Sequence, residues 1–234
     1  MIVEILRQRK GSNKSYIERF TYERREENET VATMLANLNK TDDLKNAEGK
    51  SVEKIAYRQS CLQKKCGSCA MVINGNPRLA CDAKLSEFSD RIVLEPLKKF
   101  PVIEDLVVDR TIMQENLKVM NLYLRDDAIL SEKRNQYAYE SARCLQCGLC
   151  LEVCPGYRAE NGFTGMAGAM PAARILTQLD RKTLKEIAKE YQSHVYEGCG
   201  KSLSCQKVCP AGIRIEDMLV NANAIAVWKR RFKD

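Results

Sequence analysis

Eleven cysteines of this 234-residue chain fall into three groups, and each group has the spacing of metal ligation. The first is Cys61-x4-Cys66-x2-Cys69-x11-Cys81, the second Cys144-x2-Cys147-x2-Cys150-x3-Cys154-Pro155, and the third Cys199-x5-Cys205-x3-Cys209-Pro210. An odd count fits poorly with a fully paired disulfide framework, and such patterns belong to compartments where thiols stay reduced. No thiol is left over once the groups are assigned.

The first group has the C-x4-C-x2-C…C spacing that binds a [2Fe–2S] cluster through four thiolates, which makes Cys61, Cys66, Cys69 and Cys81 its ligands. Gly67 lets the loop turn toward the cluster without a Cβ clash. The competing zinc site would usually present two C-x2-C pairs, which this segment lacks. The second group is the C-x2-C-x2-C-x3-C-P run in which three cysteines hold one cubane and the fourth reaches a neighbouring cluster. The third group repeats the second with Ser202 where the middle cysteine would stand. Crossing the ligands gives Cys144, Cys147, Cys150 and Cys209 to a [4Fe–4S] cluster. Cys154, Cys199 and Cys205 remain for the other, and three thiolates suit [3Fe–4S]. A [4Fe–4S] with the Ser202 oxygen or a water on the fourth iron stays as the alternative.

Hydrophobic patterning places these groups in an α+β chain of two domains. Residues 1–97 predict a β-grasp domain of the plant-type [2Fe–2S] ferredoxin kind. Ile2–Leu6 and Tyr16–Phe20 have the composition of opening strands, joined by a turn at Gly11–Asn13. Thr30 can cap a helix in which Val31, Met34, Leu35 and Leu38 recur at helical spacing. Ala70–Ile73 and Arg91–Leu94 supply further strands, with a turn at Asn74-Gly-Asn-Pro77. Residues 98–110 read as a linker, because Pro96 and Pro101 argue against a continuous element there. Residues 111–234 predict an all-α, bacterial-ferredoxin-like domain holding the [4Fe–4S] and [3Fe–4S] clusters. Its helical faces include Ile112, Leu117, Met120 and Leu124, then Ile175, Leu176 and Leu179, then Leu184, Ile187 and Ala188. A last helix runs over Asp217–Trp228, with Trp228 packing it or contacting a partner.

The net charge of +7 is spread along the chain, in short clusters such as Lys98-Lys99 and Lys229-Arg230-Arg231, and aromatics are 6%. Without a basic stripe and interleaved aromatics, nucleic-acid binding is not expected. Met1–Lys10 carries Glu4 in too short an apolar run for a secretory signal, and no stretch approaches a transmembrane span. A cytoplasmic location follows as the expectation, with any membrane contact made through partners. His194 reads as a surface or capping residue. Gly162, Gly165 and Gly168 follow no strand, so they predict close packing and not phosphate binding. Glu26, Glu27 and Glu29 predict a solvated turn.

Four, four and three cysteines in this order closely resemble the iron–sulfur subunit of succinate dehydrogenase and fumarate reductase. Cys66-Gly-Ser-Cys69, Leu79-Ala-Cys81 and Phe100-Pro-Val-Ile-Glu-Asp-Leu-Val-Val-Asp109 are similar to that family, the last especially to its fumarate reductase branch. The resemblance implies an electron-transfer subunit with no catalytic residue of its own. It would relay electrons between the FAD of a separate catalytic subunit, docked near the N-terminal domain, and a quinone or other carrier. A membrane anchor subunit or a soluble redox protein would be the further partner, and association with the cytoplasmic face of the inner membrane would follow from it. The chain departs from the family near the three-iron site. Quinone-linked members have tryptophans after the Cys–Pro, a His after the first cysteine of the last group and a Lys in the final helix. Here Pro155 is followed by Gly156-Tyr-Arg, Cys199 by Gly200, and the lysine position falls near Asn223. Lys201 and Tyr157 are the substitutes at hand, although a solvated lysine and a packed tyrosine are their ordinary roles. The alternative is the iron–sulfur component of a soluble flavin oxidoreductase using a thiol, nicotinamide or other donor. A freestanding carrier and a zinc protein are the remaining options.

Overall fold

The computed structural model describes residues 1–123 and 132–228, and for residues 132–135 the backbone alone. Leu124 and the Lys229-Arg230-Arg231 cluster therefore lie outside the described residues. The chain divides into two compact units, Met1–Asp109 and Arg110–Asp234.

The first unit is built on a five-stranded sheet of order β2-β1-β5-β3-β4. Strand β1 (Ile2–Gln8) pairs antiparallel with β2 (Ser15–Thr21), and helix α1 (Val31–Asn39) follows. Strands β3 (Ala70–Ile73) and β4 (Asn76–Leu79) form a hairpin, and β5 (Arg91–Glu95) inserts parallel to β1 and antiparallel to β3. Alternation along β2 leaves Glu18 and Phe20 buried between exposed neighbours, as a half-buried strand requires. Thr30 caps α1 by accepting from the Thr33 N–H at 3.3 Å, and Val31, Met34 and Leu35 join Val3, Ile5, Phe20, Ile92 and Leu94 in the core. The β3–β4 turn puts Asn74 and Gly75 at φ 47° and 75°, the two left-handed positions of a tight hairpin. Pro77, which the sequence pattern assigned to the turn, lies in β4. Its missing N–H is tolerated because β4 is an edge strand.

The segment 98–110 is not a free linker. Strands β6 (Val102–Glu104) and β7 (Val107–Val108) form a small hairpin after Pro101, and residues through Asp109 belong to the first unit. Asp105, at its tip, donates its N–H to Gln8 O (2.9 Å) and accepts from Gln8 N (3.1 Å) and Ala56 N (2.8 Å). Buried Arg7 lies 2.9 Å from both Asp105 and Glu18 and donates to the carbonyls of Glu53 and Lys54. Its Nε meets Asp105 as an ion pair and not in hydrogen-bond geometry. Glu29 corrects the expectation of a solvated turn. Glu26 and Glu27 are exposed, but Glu29 is buried and accepts from the Tyr22 hydroxyl, Arg25 N–H and Asn37 amide.

The second unit is helical. Helices α2 (Thr111–Val119) and α3 (Glu132–Ala142) precede the short α4 (Leu149–Glu152), and α5 (Gly165–Ile175) and α6 (Arg181–Tyr191) follow. The short α7 (Ser204–Lys207) and α8 (Ile215–Asn223) complete it. On α2 the fully buried residue is Met113, with Ile112 and Leu117 half-buried; Met120 is buried at the cap. Helices α6 and α8 each pass into a π-helical segment, at Gln192–Tyr196 and Ala224–Trp228. The last residues before these segments, Tyr191 and Asn223, are joined by a buried hydrogen bond of 2.8 Å. Met166, Met170, Ile187, Tyr191, Met218 and Leu219 are part of one core, and Trp228 packs against it half-buried. Among the described residues no helix is long and apolar enough to cross a membrane.

Candidate metal centres

The three cysteine loops share a backbone device. Among the described residues eight non-glycine residues have positive φ, and three of them are Asn or Asp, which tolerate it. The other five, Leu62, Lys64, Gln146, Lys201 and Leu203, all lie in cysteine loops. A left-handed residue turns successive N–H groups to the same side, so strain is concentrated where the chain must wrap around something.

In the first loop Leu62, Lys64 and Gly67 are left-handed at φ 53°, 59° and 71°. The N–H groups of Gln63 and Lys65 consequently aim at Cys61 Sγ, at 3.4 and 3.3 Å. The Ser68 hydroxyl lies 3.0 Å from Cys66 Sγ, and this contact, with the Cys61 and Ser68 backbone, pulls the exposed Cys66 thiol down to about 6. Burial pushes Cys69 up to about 12; the backbone N–H of Cys81 opposes the rise, while the Cys81 thiol and then the charge of Cys66 add to it. Ala80 donates to Cys69 O at 3.0 Å, and Lys64 pairs with Asp82 at 2.7 Å, which ties the loop to the turn carrying Cys81. The four thiols of the first group are brought together.

In the second unit one cavity is lined by Cys144, Cys147, Cys150 and Cys209, with Met113 and Met166 among its apolar walls. Cys209 comes from the third group, whereas Cys154, next in sequence to Cys150, is not among the lining residues. Burial raises all three thiols of the second loop: Cys144 upward, Cys147 to about 11, and half-buried Cys150 well above its ordinary value. The charges of the other thiols add to each rise, Cys209 acting on all three, while Arg110 opposes the rise at Cys147. Gly148 is left-handed at φ 86° and opens α4.

The remaining three cysteines lie near enough for the charges of Cys154 and Cys199 to reach Cys205. Burial lifts Cys205 to about 11, followed by the charges of Cys154 and Cys199. Ser202 is exposed between the left-handed Lys201 (φ 55°) and Leu203 (φ 53°), and Lys201 is solvated as expected. Tyr157 is buried, 1% exposed, and Asn223 is buried against Tyr191. His194 lies 2.8 Å from Gly162 O through Nδ1 and 3.4 Å from Glu190 through Nε2, a role at the end of a helix. Two of the three glycines pack closely, since a Cβ on Gly165 would approach Leu151 to 2.4 Å and one on Gly168 would meet Thr164 Oγ1 at 2.2 Å, whereas one on Gly162 would meet only His194 Nδ1 at 3.8 Å.

Buried soft donors, loops held open by left-handed residues and N–H groups aimed at sulfur fit iron–sulfur clusters. Among the described residues no three Cys, His, Asp or Glu side chains converge on a point for one metal ion. Thiolates that each bind a different iron of a cluster need not converge so tightly. Gln146 and Arg110 were not legible as site residues, since neither residue type signals cluster contact by itself.

Comparison with known proteins finds two iron–sulfur profiles along the chain. A family profile described as a 2Fe-2S iron-sulfur cluster binding domain matches residues 2–115, and one described as a 4Fe-4S dicluster domain matches residues 140–213. The chain is 33% identical over 190 residues to the succinate dehydrogenase iron-sulfur subunit of Bacillus subtilis, covering 76% of this chain and 74% of that one. It is 29% identical to the fumarate reductase iron-sulfur subunit of Escherichia coli O6:H1, covering 67% and 68%. With a subunit of the fumarate reductase (CoM/CoB) of Methanothermobacter marburgensis it shares 30% identity over 69% of this chain and 32% of that one. A chain of the Mycobacterium smegmatis Sdh1 complex has the same fold, with a TM-score of 0.76 at 22% identity over 99% of this chain and 97% of that one.

Proposed function

The chain belongs to the iron–sulfur subunits of succinate dehydrogenase and fumarate reductase, and from that we propose how it carries electrons: between the FAD of a flavoprotein partner and a quinone or another carrier, by way of [2Fe–2S], [4Fe–4S] and [3Fe–4S] centres. The electron-transfer role is that of the family. The ligand sets, the three-iron centre and the carrier are the proposal. Cys61, Cys66, Cys69 and Cys81 hold the first centre; Cys144, Cys147, Cys150 and Cys209 the second; Cys154, Cys199 and Cys205 the third. The observation that carries the crossing is the cavity lined jointly by Cys144, Cys147, Cys150 and Cys209.

When bound, the clusters supply one-electron carriage at potentials set by ligand type, hydrogen bonding and burial. The chain's own residues do the rest. Gln63 and Lys65 N–H groups orient Cys61, and Ser68 favours the thiolate of Cys66. Met113, Met166 and Met170 give the Cys144–Cys209 cavity apolar walls, which lower the polarity around a bound cluster. No acid, base or nucleophile is required of this subunit, since substrate chemistry belongs to the flavoprotein.

EPR of the complex as isolated tests the assignment. The air-oxidised protein is expected to show a three-iron signal, and the reduced protein a two-iron signal. A gently oxidised preparation with full iron content and no three-iron signal would overturn the three-iron centre in favour of a [4Fe–4S] completed at Ser202. A non-quinone carrier such as a thiol is the second reading. It is favoured by the third centre's surroundings, where Gly156 and Gly200 follow Cys–Pro and Cys199, and where Tyr157 and Asn223 are buried. Reduction of the clusters by a low-molecular-weight dithiol with the partner present, and not by a menaquinol analogue, would select it.

A further inference from the structure

Gln146 stands in the second cysteine loop at φ 49°, a conformation that disfavours any side chain but glycine, asparagine or aspartate. Its amide Nε2 donates to Cys144 Sγ at 3.5 Å and to Ala167 O at 3.1 Å. Both neighbours are acceptors, so the amide has only one chemically sensible orientation, with its NH2 toward them. That orientation leaves Gln146 Oε1 buried with no hydrogen-bond partner among the described residues. The residue thus carries two local costs, one in its backbone and one in its carbonyl oxygen, and a function at the site is the ordinary reason such costs persist.

The second acceptor explains how the amide is aimed. Ala167 lies in α5, and its carbonyl would receive the N–H of residue 171 in an uninterrupted helix. Residue 171 is Pro, which has no N–H, so the carbonyl is released from the ladder. Gln146 reaches across to it from the cysteine loop and is held there. With one N–H committed to Ala167, the other is directed at Cys144.

We propose that Gln146, anchored by the carbonyl that Pro171 frees, is a positioning residue that raises the reduction potential of the cluster held by Cys144, Cys147, Cys150 and Cys209. The inference rests on the ligand assignment above. A donated N–H stabilises whichever state carries more negative charge on sulfur, and that is the reduced state. The Gln146 backbone N–H acts on Cys144 in the same direction, so the residue supplies two donors to one ligand. A side-chain substitution removes only one of them, and the loop retains its backbone contact.

The test is a potentiometric titration of the complex as isolated, followed by EPR, comparing wild type with Gln146→Met and Pro171→Ala. Methionine keeps the length of the side chain and removes its donors. The [4Fe–4S] midpoint is expected to shift negative, the ratio of reduced to oxidised cluster falling on the order of tenfold at fixed potential, or about 59 mV for a one-electron couple. The [2Fe–2S] and [3Fe–4S] midpoints should stay where they are. Pro171→Ala returns an N–H to Ala167 O, competes with the Gln146 amide and should shift the same midpoint negative by a smaller amount. An unchanged [4Fe–4S] midpoint in Gln146→Met at full cluster content overturns the proposal. If that variant does not retain its clusters, Pro171→Ala decides, because it strengthens a helix and leaves the loop intact. Wild-type protein without a [4Fe–4S] signal would instead overturn the assignment beneath the proposal.

Discussion

Gly148 and Leu203 occupy one place in two copies of the same loop. Both are left-handed, at φ 86° and 53°, and each opens a four-residue helix, Leu149–Glu152 and Ser204–Lys207. The correspondence runs further. Gln146 and Lys201 are both left-handed, Leu151 and Gln206 donate to the O atoms of Gly148 and Leu203 at 3.0 Å each, and Cys154 and Cys209 donate one turn back to Leu151 and Gln206. The second and third cysteine groups are therefore a backbone duplication, and the ligand difference between them is one side chain, Cys147 against Ser202.

Because the backbone around Ser202 already matches that around Cys147, Ser202→Cys should complete a fourth thiolate without rebuilding the loop. The air-oxidised three-iron EPR signal is expected to fall to a small fraction of its wild-type intensity, with iron per chain rising. Full retention of that signal would show that the third loop cannot direct a residue at this position toward the cluster.

The crossing of ligands separates two otherwise similar substitutions. Cys209→Ser should remove or strongly perturb the [4Fe–4S] signal while the three-iron signal survives, and Cys154→Ser should do the reverse. Ligands assigned in sequence order, group by group, would give the opposite pattern, so one pair of EPR spectra discriminates between the schemes.

Cluster binding was legible in the sequence because the chemistry fixes cysteine spacing before any fold is considered. The Thr30 cap and the Asn74-Gly75 turn were legible for a similar reason, each being a local backbone requirement met by a local residue. Elements that depend on distant partners were harder to read. β4 contains Pro77 and is permitted only by its edge position. The β6–β7 hairpin exists because Asp105 finds Gln8, Ala56 and Arg7, none of them near it in sequence. Helices α4 and α7 are one turn long and show no periodicity. Gln146 gained its place from a proline in another helix, which no pattern within the cysteine loop could announce.

Arg7 is 3% exposed and faces the carboxylates of Glu18 and Asp105 at 2.9 Å. Arg7→Met would leave both acids buried without their cation and two carbonyls without their donor. A loss of about 3–5 kcal/mol in the stability of the first unit is expected. Arg19→Met removes an exposed guanidinium from Glu4, which keeps Arg91 at 2.6 Å, and should cost much less. Denaturant unfolding followed through the visible absorbance of the [2Fe–2S] centre measures both; equal losses would mean that burial of the Arg7 network is not what stabilises the β6–β7 hairpin.

Glu29 supplies a pH dependence whose sign can be worked out. Burial alone would raise its carboxyl, but hydrogen bonds from the Tyr22 hydroxyl, the Arg25 N–H and the Asn37 amide outweigh that and hold it below its ordinary 4.5. A carboxylate with a lowered folded-state value binds protons less readily in the folded chain than in the unfolded one. Its contribution is complete above the ordinary carboxylate range and is lost as pH falls through the lowered value. Glu29→Gln should therefore be less stable than wild type at pH 7, by about 1 kcal/mol for hydrogen bonds to a charged acceptor. The gap should narrow as the pH falls below 4.5 and through the lowered value, because wild type is then protonated toward the neutral state that glutamine imitates. Thermal unfolding of the two proteins across this range gives the gap directly. A difference that stays constant as the pH falls well below 4.5 would mean that Glu29 acts by shape and packing alone, with its charge making no contribution to the Tyr22–Asn37 cluster.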